Sequence, residues 1–431
     1  MAIYLDHAAT TPMSPEVLAA YVEALGVVGN PASIHSQGQN AKRMLEEARE
    51  QVAASLGADA VEVTLTSGGT ESINLAIKGL YWARNQPDGR VAAAGAHPDG
   101  RVAAAEAHPD GRVAAAEGDG VSRPQPSRPR PRILIAAAEH HATIDAAHWL
   151  AVSEGAIVEE IPVDHLGRVD LAALDRMLDD DVALVSVLLA NNEVGTIQPI
   201  DEIVALASRF DIPVHCDAVA AYGYLPIDFA HSGLAALSVS AHKIAGPVGV
   251  GALVIARTAT LVPLIHGGSQ QRARSGTQDV AGAVAFGVAA SRAAAGIEAR
   301  QARLRGLRDR LIDGVRSAVS SAVLRGDPVN RLPGNAHFTF PGCEGDSLLF
   351  LLDVAGFSVS TGSACQAGVP ESSHVLLAMG LSEPDARGAL RITLGEGTTE
   401  AEVDAFVAAL PAAVERASAA GLADRVVVPR G

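Results

Sequence analysis

Three residues of this chain have the types and surroundings for chemistry on a small molecule. Lys243 follows Ser240-Ala241-His242, Asp217 stands twenty-six residues before it, and Cys365 closes the run Ser360-Thr361-Gly362-Ser363-Ala364. A lysine amine condenses with carbonyl groups, a carboxylate can hold a proton on a ring nitrogen, and a thiolate attacks sulfur or carbon. Small residues on both sides of Cys365, with Gln366-Ala367-Gly368 behind it, carry neither the helical nor the strand period. They read as a loop, where a side chain can meet substrate. Each residue alone has a plainer reading: Cys365 as a buried small hydrophobe, Asp217 as a helix N-cap, Lys243 as a solvated cation.

A fourth feature favours the chemical reading. Leu65-Thr66-Ser67-Gly68-Gly69-Thr70-Glu71-Ser72 joins an apolar run to a helical pattern beginning near Thr70. Glycines there leave backbone N–H groups open at a helix N-terminus, and with the hydroxyls they suit a phosphate, although an ordinary strand-to-helix turn would look the same. The glycine and lysine patterns of dinucleotide and triphosphate sites are missing. A lysine, a carboxylate for a pyridine nitrogen and a phosphate cradle are together what a pyridoxal phosphate enzyme requires.

The elements that must position these groups follow from the apolar runs. Residues 61–65, 132–136, 182–189, 212–216, 234–239 and 251–256 read as strands, with helical stretches such as 200–210 between them. Residues 14–57 read as helical, and a long helix rich in Ala, Arg and Leu is expected over about 280–323. Alternating strands and helices imply a mostly parallel sheet with helices on both faces, whose ligands bind at the carboxyl ends of the strands. Asp217 and Lys243 both follow apolar runs, so adjacent strand ends should bring them together. After about residue 261 the character changes to a smaller α+β region.

Composition narrows the function. The 431 residues suit two domains, and with only 3% aromatics the core must be aliphatic. A formal charge of −16, spread along the chain, argues against a nucleic-acid surface. Cys216, Cys343 and Cys365 include no Cys-x-x-Cys pair, so neither a disulfide framework nor a zinc site is suggested, and no metal is expected. Cys216 reads as core and Cys343 as an exposed bystander. No basic leader and no apolar run of membrane-spanning length stands in the sequence, so a cytoplasmic protein that is neither exported nor embedded is expected.

One stretch, about 84–131, breaks the pattern. Pro-Asp-Gly-Arg-Val-Ala-Ala-Ala recurs from Pro87, Pro98 and Pro109 at an eleven-residue period, followed by a Pro/Arg-rich segment. Eleven is the period of a right-handed coiled coil, but a turn signal in every repeat forbids one. With little apolar bulk to offset its ordering entropy, it reads as a mobile surface insertion.

Taken in order, the motifs resemble those of the cysteine desulfurases of the nitrogen-fixation and iron-sulfur-assembly group, class V of the fold-type I pyridoxal phosphate enzymes. They are Tyr4-Leu5-Asp6, Ala8-Ala9-Thr10-Thr11-Pro12, Gly29-Asn30-Pro31-Ala32-Ser33, Thr66 to Glu71, Glu139-His140-His141-Ala142, Asn191-Asn192-Glu193-Val194-Gly195, His242-Lys243, Arg274-Ser275-Gly276-Thr277, Ser363-Ala364-Cys365 and Arg391-Ile392-Thr393-Leu394-Gly395. They run over nearly the whole chain apart from the insertion. The resemblance implies an α/β fold with a mostly parallel seven-stranded sheet flanked by helices: a large domain over 14–260, and a small α+β domain made of 1–13 and 261–420, with 421–431 as a tail.

The resemblance also implies roles. Lys243 would attach pyridoxal 5'-phosphate, Asp217 would pair with its pyridine nitrogen, and His140 would stack on its ring and move protons. Thr70, Ser240 and His242 would hold the phosphate, joined by Thr277 from the partner subunit of a homodimer; Gly69 belongs to the same cofactor-binding set. Asn192, also near the cofactor, and Arg391 would bind the substrate carboxylate. His141 is left structural. L-cysteine would become L-alanine while Cys365 takes the sulfur as a persulfide and passes it to an acceptor protein, an iron-sulfur scaffold or a tRNA-thiolating enzyme. An aminotransferase or selenocysteine lyase of the same class is the rival, and a sulfur-relay scaffold with a degenerate site is another. Ala220 stands where the family usually has a glutamine against the ring hydroxyl, His7 where many members have asparagine, and Gln366-Ala367 where Ser-Ser is usual.

Overall fold

Burial separates the strands from their surroundings as the apolar runs imply: every residue of the longest, Val182–Leu188, is buried. The computed structural model describes residues 2–85, 129–268, 270–362 and 372–423. Most of the repeat insertion and Cys365 itself lie outside the described residues. In chain order the strands are β1 (Ile3–Tyr4), β2 (Val63–Thr66), β3 (Arg132–Ala136), β4 (Ile157–Ile161), β5 (Val182–Leu188), β6 (Val214–Asp217), β7 (Ala236–Ser240), β8 (Gly251–Ile255), β9 (Val323–Arg325), β10 (Asn335–Thr339), β11 (Phe357–Ser358) and β12 (Ala389–Thr393).

Seven of them form the central sheet in the order β2-β8-β7-β6-β5-β3-β4. The run from β4 to β7 is parallel, whereas β8 lies antiparallel to both β7 and β2. Alternate residues feed two cores: Leu134 packs on one face of the sheet and Ile133 and Ile135 on the other, as the period of two requires. The apolar runs identify six of these strands and miss β4. That strand sits at the edge, and its Glu159 pairs with Arg132 at 2.5 Å, so it carries charge where a central strand would carry Val or Ile.

The helical stretch expected over 14–57 is two helices, Pro15–Leu25 and Ser36–Ser55, separated by the turn around Gly29-Asn30-Pro31. A Cβ on Gly29 would lie 2.3 Å from the carbonyl oxygen of Gln37, so only glycine permits this approach. The long helix expected over 280–323 is also two, Val280–Ala295 and Ile297–Ala318, bent by 71°. Gly296 stands at the break, where its poor helix propensity costs least, and Arg300 donates to the carbonyls of Ala293 and Gly223 beside it. The first of these helices packs on the large sheet's core, while Leu304, Leu307 and Leu311 of the second enter a separate core with Phe338, Ile392 and Phe406.

That second core supports a three-stranded sheet, β12-β10-β9, and the parallel pair β1–β11. The chain's first residues leave β1, bridge to β12 at Asp6 and Thr393, and run across to the end of β7. They tie the two sheets together. Among the described residues no single helix is long and apolar enough to cross a membrane.

Candidate active site

Parallel pairing fixes the first wall of the site. Asp217 is the last residue of β6 and lies opposite Ser238 of β7, which ends two residues later at Ser240 and enters a 3-10 turn over Ala241–Lys243. Asp217 and Lys243 therefore meet on one cleft of about 410 Å³, together with Gly69, Thr70, His140, Asn192, Ala220, Ser240, His242, Ser360, Gly362 and Arg391.

Burial pushes the Asp217 carboxyl up to about 6, although the N–H of Val219, bonded to its Oδ1 at 2.9 Å, and the Lys243 charge pull the other way. That local bond is the N-cap-like geometry expected of an isolated aspartate, and it leaves Oδ2 for a further partner. Burial lowers Lys243 to about 8, helped by the Arg391 charge and opposed by Asp217 and Asp6. Its Nζ donates to the backbone carbonyls of Ala8 and Ala9, the latter at 2.9 Å. The neighbouring His242 is brought down to about 4 by burial and then by the Lys243 charge. Thr10 meets its Nδ1 at 3.2 Å, and Thr11 donates to its carbonyl at 2.7 Å.

Beside these groups the helix Gly69–Asn85 begins. A Cβ on Gly69 would come within 2.8 Å of Val219 Cγ2, so the glycine is what lets this helix N-terminus stand against the Asp217 and Ser240 segments. Thr70 is exposed in the cleft, and Ser67 and Glu71 close the turn through a 2.7 Å bond from the Ser67 N–H.

His140 caps the helix His141–Glu154, its Nδ1 accepting the N–H of Ala142 at 3.1 Å. The neutral ring therefore carries its proton on Nε2. The protein packed around it, and then the charge on Lys243, lower it to about 4, while the ring remains open to the cleft. Beneath it Glu139 is fully buried, with Oε1 accepting the N–H of Leu188 at 2.6 Å; burial, and then the nearby Asp217, raise it well above the carboxylate range.

The second wall comes from the small sheet. Arg391 of β12 is buried, donating from Nη1 to the carbonyl of Asn192 at 3.0 Å and from Nη2 to Asp6 Oδ1 at 2.9 Å; its Nε is buried without a hydrogen-bond partner among the described residues. Its backbone exchanges hydrogen bonds with Ser360, so the segment leading towards Cys365 is tied to the strand that carries the arginine. Asn191 shapes the loop before it, its Oδ1 accepting the N–H groups of Glu193 and Val194 and its Nδ2 donating to Ala138.

The sequence motif aminotransferase class-V matches residues 3–108 and 120–406. An IscS-like cysteine desulfurase of Mycobacterium tuberculosis is 49% identical over 425 residues, covering 97% of this chain and 98% of that protein. The chain belongs to the class-V aminotransferase family, in its cysteine desulfurase group. Among solved structures, a NifS-like protein superposes with a TM-score of 0.81 at 32% identity, covering 96% of this chain and all of that one. The structure described as SspA in complex with cysteine gives 0.71 at 29% identity, with coverages of 91% and 98%.

In this desulfurase the site residues read from sequence fall into three groups. Gly69, Thr70, His140, Asn192, Asp217, Ser240, His242, Lys243 and Arg391 share the cleft. Thr277 is exposed and stands apart from the cleft lining of its own chain. Cys365 lies outside the described residues. Cys216 is core, as expected. Cys343 departs from expectation: it is buried, with Sγ 3.1 Å from Ser418 Oγ, because the turn at Pro341-Gly342 folds it against the final helix, Glu400–Ala423. Sequence reasoning assigned no role to Asp6, Glu139 or Glu193. Asp6 and Arg391 stand 385 residues apart, and no local pattern announces such a pair.

Proposed function

We propose that this desulfurase converts L-cysteine to L-alanine and takes the sulfur onto Cys365. The observation that carries the reading is the convergence of Lys243, Asp217, His140 and Arg391 on one cleft whose rim includes Gly362, three residues before that cysteine. The balance is simple: the substrate gives up its Cβ–S bond, a disulfide-like S–S bond forms on Cys365, and the thiol proton ends on the product.

The residues present fit pyridoxal phosphate. Lys243, with its amine held near neutrality, would hold the cofactor; Asp217 Oδ2 would accept from the pyridine N–H; the helix N-terminus at Gly69 and Thr70, with Ser240 and His242, would receive the phosphate. Bound there, the cofactor supplies an electron sink for the substrate's α-carbon. Burial and the neighbouring Asp217 both disfavour the charged form of Glu139 beside the cofactor seat. Arg391, its Nε free and its two Nη groups aimed by Asn192 and Asp6, would clamp the substrate carboxylate, with Asn192 beside it. His140, neutral with its proton on Nε2, would stack on the ring and hand protons to and from the substrate. Ala220 leaves the space of a larger side chain beside Lys243 and Asn192.

The same reading divides the chain into a large domain over 14–260 and a small one made of 1–13 and 261–420, supported by the separate apolar core around Phe338 and Phe406. A cytoplasmic homodimer, with Thr277 completing the partner's phosphate site, fits the exposure of that threonine. A sulfur-acceptor protein, of iron-sulfur assembly or tRNA thiolation, would relieve Cys365 of its sulfur. The deciding experiment supplies L-cysteine to purified protein without any keto acid. Equimolar alanine and enzyme-bound or released sulfur are expected, whereas alanine that requires a keto-acid acceptor would mark an aminotransferase.

A further inference from the structure

Glu193 is a buried carboxyl that the reaction as described leaves without a task. It belongs to the loop after β5, whose Asn192 supplies the carbonyl that aims Arg391. Its Oε2 accepts a 2.5 Å hydrogen bond from the hydroxyl of Ser373, which in turn caps the short helix His374–Ala378 by accepting the N–H of Leu376. The same oxygen lies against Gly362: a Cβ placed there would come within 3.1 Å of Glu193 Oε2 and 3.3 Å of His337 Nε2, at a φ of +89° that already favours glycine. Residues 362 and 373 are the two ends of the segment in which Cys365 stands. One carboxyl oxygen therefore bonds Ser373 and faces the space where a side chain at 362 would lie.

Other bonds reinforce each end separately. Ser360 exchanges backbone hydrogen bonds with Arg391 and accepts the N–H of Gly362 on its hydroxyl, and His374 Nε2 bonds the carbonyl of Glu139, next to His140, at 2.8 Å. Glu193 stands between the two ends, bonded to Ser373 and packed beside Gly362. His337, buried across from it, has no hydrogen-bond partner for either ring nitrogen among the described residues, and burial, then the Arg391 charge, lower it to about 3, so it faces the carboxyl as a neutral ring.

We propose that Glu193 is a positioning residue for sulfur transfer, acting through Gly362 and Ser373 to hold the base of the Cys365 segment at the rim of the cleft. The proposal rests on the reading of Cys365 as the sulfur carrier.

The test uses the cofactor-loaded enzyme and four variants. Glu193→Ala and Ser373→Ala should keep the cofactor absorbance and the KM for L-cysteine, while kcat for alanine formation falls about tenfold to a hundredfold, the scale on which misplacing a reacting group acts. The rate at which iodoacetamide modifies Cys365, read by mass spectrometry, should change in the same variants. Glu193→Gln should recover most of the rate, because its amide oxygen still accepts from Ser373. Should Glu193→Ala fail to fold, Ser373→Ala decides alone. A kcat and an alkylation rate equal to the parent's, or a loss of cofactor in step with activity, would overturn the proposal. Cys365→Ser separates the two readings: if it still accumulates bound sulfur, the carrier assignment fails first; if it does not and the tether variants are silent, only the positioning role is wrong.

Discussion

One wall of the cleft is made of strand ends and a helix N-terminus, the other of a strand from a different sheet with a loop tied beside it. On the first wall, Asp217, Ser240 and Lys243 follow from two adjacent parallel strands, and their positions are set by a ladder of backbone hydrogen bonds. On the second, Arg391 is aimed by Asp6 and by the carbonyl of Asn192, and Ser373 is bonded to Glu193, all through side chains from segments remote in sequence. The contrast suits the work. A strand ladder gives a cofactor a fixed seat, while groups around a substrate can be set by side chains reaching in from other segments.

If the first wall is the seat, the largest effect belongs there. Lys243→Ala should abolish the cofactor's absorbance band and lower turnover by about a thousandfold or more, since among the described residues no other amine lines the cleft to hold the group. A borohydride-reducible adduct surviving in that variant would place the attachment elsewhere. Cys365→Ser probes the other wall and should split the two functions: cofactor and L-cysteine still bind, but no enzyme-bound sulfur forms. Sulfur found on Cys216 or Cys343 in this variant would contradict their burial as well as the assignment.

Arg391→Lys sharpens the contrast further. Lysine keeps the charge but loses the planar fork that reaches Asn192, Asp6 and a carboxylate together, so KM for L-cysteine should rise about ten- to a hundredfold with a smaller change in kcat. An unchanged KM would remove Arg391 from the substrate clamp. Titration of the first wall gives a smaller, graded effect. A base whose pKa is lowered from 10.5 to about 8 becomes neutral, and able to join the cofactor, at lower pH. The rate of cofactor loading into the stripped enzyme should therefore climb about tenfold per pH unit towards pH 8 and level above it. A rise continuing to pH 10 would show an unperturbed lysine.

The smallest effect is expected far from both walls. Asn85 and Arg130 flank the repeat insertion, and the Asn85 amide pairs with both backbone groups of Arg130 at 2.8 and 2.9 Å, so the two ends are pinned together at the sheet. Deleting Pro87 to Gln125 should leave the oligomeric state unchanged and cofactor colour and alanine formation within about a few-fold of the parent, well short of the loss of a catalytic group. A collapse of turnover with the colour intact would mean that the repeats reach the site.

How much was legible in the sequence depended on range. Val182–Leu188 could be read because all seven of its residues are apolar or small and buried, and β4 could not, because an edge strand carrying Glu159 and Glu160 lacks that signature. The bend at Gly296 hid inside a helical pattern that continues on both sides of it. Cys343 looked exposed beside Pro341-Gly342 because its cover comes from the last helix, remote in sequence.

The sequence by itself marked most of the strands and helices and the turn at Gly68 and Gly69, and singled out Lys243, Asp217, His140 and Cys365 as candidates, since those depend on local period and on the chemistry of single side chains. Only the tertiary structure decided which charges face each other. The pairing of Asp6 with Arg391, the raised Glu139 near Asp217, the lowered Lys243 and the bond from Ser373 to the Glu193 carboxyl all arise where chain segments remote in sequence are packed out of water. Burial and proximity set these properties, and neither is written in any stretch of neighbouring residues.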